Sequence, residues 1–269
     1  MHIDEIFAMV QSAKLSENPN TLFTIPASWG QGRTVYGGLT ASLLYTAIKD
    51  QVADNRPMRS FNGNFVGPLM VDSPFTIEVD ILREGKNATQ ALGKIVQNGK
   101  VALICQVCFA VNRPSKILVE NFEHHGLERP KKANFIPPIP GLVPKFMRHL
   151  EMKMMEGKMA FMGSKLDTTK GWMRFKKPPV TITDAHLIAL IDTFPCTVLQ
   201  KLRWPAPAST MNWNIEFLHP HDEILPEDWL AYAALPRQAA DGYCHMESNI
   251  WDTKGKLIAI SRQLVGIFD

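Results

Sequence analysis

The chain has 269 residues, 45% of them hydrophobic and 20% charged, with 29 basic against 26 acidic side chains. That suits two soluble domains of roughly 100 to 150 residues each, and the scattered, nearly balanced charge argues against a nucleic-acid surface. No run approaches the ~20 apolar residues of a membrane span, and the start, Met1-His2-Ile3-Asp4-Glu5, lacks a basic-then-apolar pattern, so a cytoplasmic location is expected.

In chain order, Gly37 to Ile48 has apolar residues at 39, 43, 44, 47 and 48, which is helical spacing. Two glycines open it, where backbone must be exposed or tightly turned. Strands are predicted at Phe61–Val66, Phe75–Leu82, Ala88–Gln97 and Val101–Val111. Asn98-Gly99 between the last two predicts a hairpin, since both turn positions need positive φ. Cys105 and Cys108 match a CxxC spacing, but residues three apart on a strand point to opposite faces, so a structural, reduced role is expected. Residues 113–163, with Pro114, Pro130, Pro137, Pro138, Pro140 and Pro144 and then a Met-rich stretch, read as a connector over the surface. Its methionines either pack the connector or line an adaptable acyl tunnel. Lys131-Lys132 and Lys176-Lys177 read as solvated surface.

The second half repeats the order. A helix is predicted over Thr181–Leu202, with Thr183 or Asp184 as N-cap and a kink or break near Pro195. Strands follow at Ser209–Leu218, Trp229–Leu235, Gly242–Trp251 and Leu257–Phe268, with a turn at Asp252–Lys256. Phe61-Asn-Gly-Asn-Phe-Val-Gly-Pro68 aligns with Trp213-Asn-Ile-Glu-Phe-Leu-His-Pro220, and Asn98–Ile104 with Lys254–Ile260. The domains are therefore taken as 1–112 and 164–269 about the connector.

Three stretches carry a family resemblance: Val35-Tyr-Gly-Gly-Leu-Thr-Ala-Ser-Leu43, Arg59-Ser-Phe-Asn-Gly-Asn-Phe-Val-Gly-Pro68 and Glu78-Val-Asp-Ile-Leu-Arg-Glu-Gly-Lys-Asn87. In order and spacing they resemble the medium-chain acyl-CoA thioesterase II family of the thioesterase-like superfamily. The resemblance implies an α+β double hot-dog fold, two fused helix-wrapping antiparallel sheets. It also implies hydrolysis of a fatty acyl-CoA thioester, a step of lipid metabolism, with no cofactor. The family's acid on the second central helix falls on Asp192, its strand hydroxyl on Thr210, ten residues before Pro220, and its last-strand amide on Gln263. Two departures stand out: Thr193-Phe194-Pro195 follows the acid where the family usually has Asn-Phe, and Leu264-Val265 follows the glutamine in place of Glu-Gly.

These residue types suit the chemistry. A carboxylate takes a proton from water while a hydroxyl and an amide hold that water in line. Gly37 and Gly38, at a helix N-terminus, suit an oxyanion- and substrate-binding role. The repeat adds an independent argument, because it sets Asp192 opposite Tyr45 and Gln263 opposite Val107, so the polar set exists in one half only. Read singly, Asp192 also fits a capping or buried hydrogen-bonded carboxylate, and Thr210 and Gln263 fit ordinary strand positions. His219-Pro-His221 has ligand spacing without a convincing third ligand, so no metal is expected; His186 reads as packing and His124-His125 as solvated. The alternative to an acyl-CoA hydrolase is a non-catalytic acyl-CoA or acyl-chain binding hot-dog protein. Association of whole chains into a homo-oligomer is compatible with either.

Overall fold

Strand and helix patterns repeated twice make one continuous sheet in the computed structural model, which describes residues 1–134 and 143–269. Pro137, Pro138 and Pro140 of the expected connector lie outside the described residues. The chain opens with α1 (Ile3–Ser12) and a two-stranded ribbon of β1 (Gly30–Gln31) and β2 (Thr34–Val35), then enters α2 (Gly37–Lys49). The first half continues with β3 (Met58–Phe65), β4 (Thr76–Glu84), β5 (Ala88–Gln97) and β6 (Lys100–Ala110). The second half holds β7 (Leu150–Glu156), β8 (Thr169–Phe175), α3 (Asp184–Ile191), β9 (Ala208–Phe217), β10 (Leu230–Ala240), β11 (Tyr243–Trp251) and β12 (Leu257–Ile267).

The ten long strands form an antiparallel sheet in the order β4-β5-β6-β3-β9-β12-β11-β10-β8-β7. Its two halves meet at β3 and β9, where Asn62 stands opposite Asn214, and the Asn214 amide donates to Asn62 Oδ1 at 2.7 Å. The repeat aligns these same two asparagines, so a pseudo-two-fold axis passes between them. The architecture is the expected α+β double hot-dog, and the fusion pairs two sheet edges that would otherwise be open. The predicted hairpin is present, with φ of 51° at Asn98 and 70° at Gly99.

Helix α2 is buried all round, from Gly38 to Ile48, as befits a helix wrapped by a sheet. Its interior hydroxyls are satisfied locally, Thr40 by the Tyr36 carbonyl, Ser42 by that of Leu39 and Thr46 by that of Ser42, which keeps their burial affordable in free-energy terms. A second, smaller core lies on the outer face, where Trp172, Trp229 and Trp251 pack with Leu127 and Ala133. His125, expected to be solvated, packs edge-on against Trp172 and Trp251 instead.

Two expectations are corrected. The helix predicted over 181–202 is α3 alone, ending at Ile191, with a separate 3-10 turn over Thr197–Lys201. Pro195 cannot supply an N–H to a continuing ladder, and the residue before a proline is pushed out of the helical region. The connector is also shorter than 113–163, because β7 pairs with β8 and forms the sheet's edge. Met152 therefore sits in the core, while Met155 and Met162 face solvent. Among the described residues, no helix is long and apolar enough to cross a membrane.

Candidate active site

Helices α2 and α3 lie antiparallel, so the start of α2 meets the end of α3. Asp192 is the C-cap of α3, with φ −88° and ψ 10°. A carboxylate there faces the negative pole of its own helix, but it reaches across to the positive pole of α2. A side chain built on Gly37 would place Cβ 2.9 Å from Asp192 Oδ2; on Gly38, 2.8 Å from both the Ala189 carbonyl and the Tyr36 ring. Close approach is thus the reason for the glycine pair. Neither has positive φ, so neither glycine is required by a left-handed backbone conformation.

Gln263 faces the core from β12, opposite Trp213 of β9. Its amide donates to Asp192 Oδ1 at 3.0 Å. The Gly38 N–H is also turned toward the carboxylate, more weakly. Burial raises the Asp192 carboxyl from the ordinary 3.8 to about 6, against the opposing pull of the Gln263 amide and the Gly38 N–H. The result is an acid that changes ionisation near neutrality, a property suited to a general base. Two phenols face it, Tyr36 and Tyr232, and burial holds both well above the usual tyrosine range.

Thr210 pairs with the buried Val265 after a bulge between Leu264 and Val265, so its side chain shares the core face with Gln263. Among the described residues its hydroxyl makes no hydrogen bond to Asp192 or Gln263. The structure therefore joins Asp192 to Gln263 and Gly37-Gly38, and sets Thr210 on the same sheet face as Gln263 without a direct bond to either side chain. Sequence reasoning missed Tyr36, whose hydroxyl donates to the Ala189 carbonyl at 2.7 Å, and Thr193, whose hydroxyl donates to the Leu190 carbonyl at 2.6 Å. The available signal for Tyr36 was its place directly before the glycine pair.

The opposite end of the helix pair differs. There the Tyr45 hydroxyl donates to Asp184 Oδ2 at 3.0 Å, at the N-terminus of α3. Val107 stands opposite Phe61, where Gln263 stands opposite Trp213.

The remaining candidates have structural partners. His186 is buried, with Nε2 3.0 Å from Asp4 Oδ1 and its ring edge-on to Phe7. His219 Nε2 lies 2.9 Å from the Met58 carbonyl. Among the described residues no group of three or more His, Cys, Asp or Glu is placed to hold a metal. Cys105 faces the core and Cys108 the other side of β6, as alternation requires; all four cysteines are free thiols.

Comparison with known proteins accords with this fold. The family model for the acyl-CoA thioesterase N-terminal domain matches residues 25–110, and that for the acyl-CoA thioesterase C-terminal domain matches residues 127–267. A hot-dog protein of unknown function from Alicyclobacillus acidocaldarius is 25% identical over 92% of each chain, with a TM-score of 0.77. A putative thioesterase II from Thermobifida fusca is 18% identical over 92% of each chain, with a TM-score of 0.73. An acyl-CoA thioesterase II from Mycobacterium marinum is 17% identical, covering 100% of this chain and 98% of that one, with a TM-score of 0.70. No curated protein matches the sequence. The matched domains span both halves of the double hot-dog, and the chain belongs to the acyl-CoA thioesterase family.

Proposed function

We propose that this protein hydrolyses fatty acyl-CoA thioesters to free acid and CoA, with Asp192 as the general base. The observation that carries this reading is the half-buried Asp192 carboxylate, held by Gln263 at 3.0 Å and facing the glycine start of α2. Water bound between Asp192, Gln263 and the Thr210 hydroxyl loses a proton to Asp192 as its oxygen attacks the thioester carbon. The N–H groups of Gly37 and Gly38 stabilise the negative oxygen that forms. The carbon–sulfur bond then breaks, and the thiolate of CoA takes the proton back from Asp192. A thiolate needs little help in leaving, since a thiol ionises near pH 8.5, which is why one base and a few positioned donors suffice.

The glycines come from one half, and Asp192, Thr210 and Gln263 from the other. We therefore read the half ending with β6 and the half beginning with β7 as two domains that form one functional unit, with neither half active alone. The four free thiols fit a reducing compartment such as the cytoplasm.

Thiol release from a panel of acyl-CoA esters, read with a thiol reagent for wild type and Asp192→Asn, tests this function. The expected result is turnover by wild type and its near-loss in a folded variant. Binding of acyl-CoA without thiol release would replace the hydrolase reading with that of a non-catalytic acyl carrier. Turnover undiminished in Asp192→Asn would return Asp192 to a capping role.

A further inference from the structure

We infer that Tyr36 is a positioning residue for the reaction, its hydroxyl closing the last turn of α3 so that Asp192 is held against the start of α2. The inference rests on the reading of Asp192 as the base. It begins from an accounting of carbonyls. The last turn of a helix leaves carbonyls with no partner in the ladder. In α3, the N–H of Thr193 turns to the Leu190 carbonyl, as does its hydroxyl. The Ala189 carbonyl, which a continuing helix would pair with the Thr193 N–H, instead receives the Tyr36 hydroxyl at 2.7 Å. A residue 153 positions away in the other half thus caps the turn that ends in Asp192.

Tyr36 is itself fixed from several sides. It is 1% exposed. Its N–H donates to the Trp29 carbonyl at 3.0 Å, and its own carbonyl accepts from the Thr40 N–H at 2.9 Å. Its ring stacks on Phe146, with centroids 3.9 Å apart and planes 8° from parallel. Gly37 follows it directly. One rigid side chain therefore joins the residue before the glycine pair to the carbonyl three residues before Asp192.

Removing the hydroxyl would act on Asp192 in one direction. The uncapped Ala189 carbonyl adds to the negative pole of α3, which disfavours a carboxylate at its C-cap. The start of α2, no longer tied down, would also present its N–H groups less closely. Both effects favour the protonated, inactive acid. The titratable groups facing Asp192 are Tyr36 itself and Tyr232 of β10; both are neutral phenols, and Gln263 of β12 carries no charge. Among the described residues, no other titration near the site would imitate the shift.

The test is Tyr36→Phe in the full chain, which keeps the ring and its stacking, compared with Phe146→Leu, which keeps the hydroxyl and loses the stack. Tyr36→Phe should melt cooperatively and show an unchanged KM, because Tyr36 contacts no reacting atom. Its turnover should fall about tenfold at pH 6 and only about twofold at pH 8, because the acid limb moves upward. Backbone amides of residues 190–194 should exchange with solvent faster, a readout independent of activity. Phe146→Leu should leave the acid limb in place. Wild-type exchange rates and an unmoved limb in Tyr36→Phe would overturn the positioning role while the assignment of Asp192 stands. An equal shift of the limb in Phe146→Leu would assign the effect to ring packing and also overturn it. Undiminished turnover in Asp192→Asn, by contrast, would remove the base reading on which the inference depends.

Discussion

The two ends of the α2–α3 pair are related by the pseudo-two-fold axis, and each has a carboxylate at a helix N-terminus. They differ in where that carboxylate comes from. At the start of α3 it is Asp184, in the first turn of the same helix, tied to the Tyr45 hydroxyl. At the start of α2 the helix contributes only Gly37 and Gly38, and the carboxylate arrives from the opposite helix as Asp192. An acid in the first turn of its own helix is a stabilising feature. An acid at its own C-cap, half-buried, with an amide as its only side-chain hydrogen-bond partner among the described residues, is an unfavourable feature that a purely structural site has no reason to keep. On the proposed reading of Asp192 as the base, the contrast separates a structural carboxylate from a chemical one on the same scaffold.

The largest expected effect tests the chemical end. Asp192→Asn should lower turnover by ~10²- to 10⁴-fold and stabilise the protein. The carboxyl titrates near 6 in the folded chain, above its ordinary 3.8. Its contribution to stability is thus fully present below about pH 4 and lost as pH rises through about 6. At pH 7 the variant should resist denaturant better by roughly 1–2 kcal/mol, after allowance for partial solvent exposure. A loss of stability in urea titrations would make Asp192 structural. By the same titration, wild-type kcat/KM should rise with pH up to about 6 and then level; a flat profile between pH 5 and 8 would detach the base from Asp192.

Gly38→Ala should be next in size. Its Cβ would meet the Ala189 carbonyl and the Tyr36 ring at 2.8 Å, so the two helices must part, at a cost of about 1–3 kcal/mol in stability, with reduced turnover. A thermal melt unchanged from wild type would show that the helices are not held that closely. Because the clash is with protein, such a variant reports on helix approach as well as on substrate access.

Gln263→Leu and Thr210→Ala should each slow turnover by about 10- to 100-fold, less than Asp192→Asn, since they position water without accepting its proton. Gln263→Leu should also shift the acid limb upward, because the amide opposes the effect of burial. Thr210→Ala should leave it in place. Identical pH profiles for the two would break the distinction. The smallest effect belongs to the other end: Tyr45→Phe should keep turnover within about twofold and lose about 1 kcal/mol of stability. A large loss of turnover would show that the two ends are coupled.

Much of this was legible in the residues. Eight of the strands were predicted near their observed places, and Asn98-Gly99 set a hairpin. The repeat aligned Asn62 with Asn214, between which the structure puts the pseudo-two-fold axis, and placed Asp192 opposite Tyr45 and Gln263 opposite Val107, the pairs that distinguish the two ends. Strands β7 and β8 were not legible, because they have no counterpart in the first half and the prolines nearby suggested a connector. The break near Pro195 was legible, but α3 ends before it, at Ile191, where local apolar spacing still continues.

What the sequence determined by itself is therefore what depends on neighbours in the chain: periodicity, turn chemistry and the order of elements. Tertiary structure alone decided the contacts that make the site. The glycine pair opens a helix in sequence, but only the approach of α3 shows why any Cβ would be excluded. Asp192 is an acid at a helix end in sequence. Only burial beside Gln263 and the α2 terminus moves its ionisation to about pH 6. Desolvation and long-range hydrogen bonding within the chain depend on atoms more than 70 positions away, and no local pattern of residues reports them.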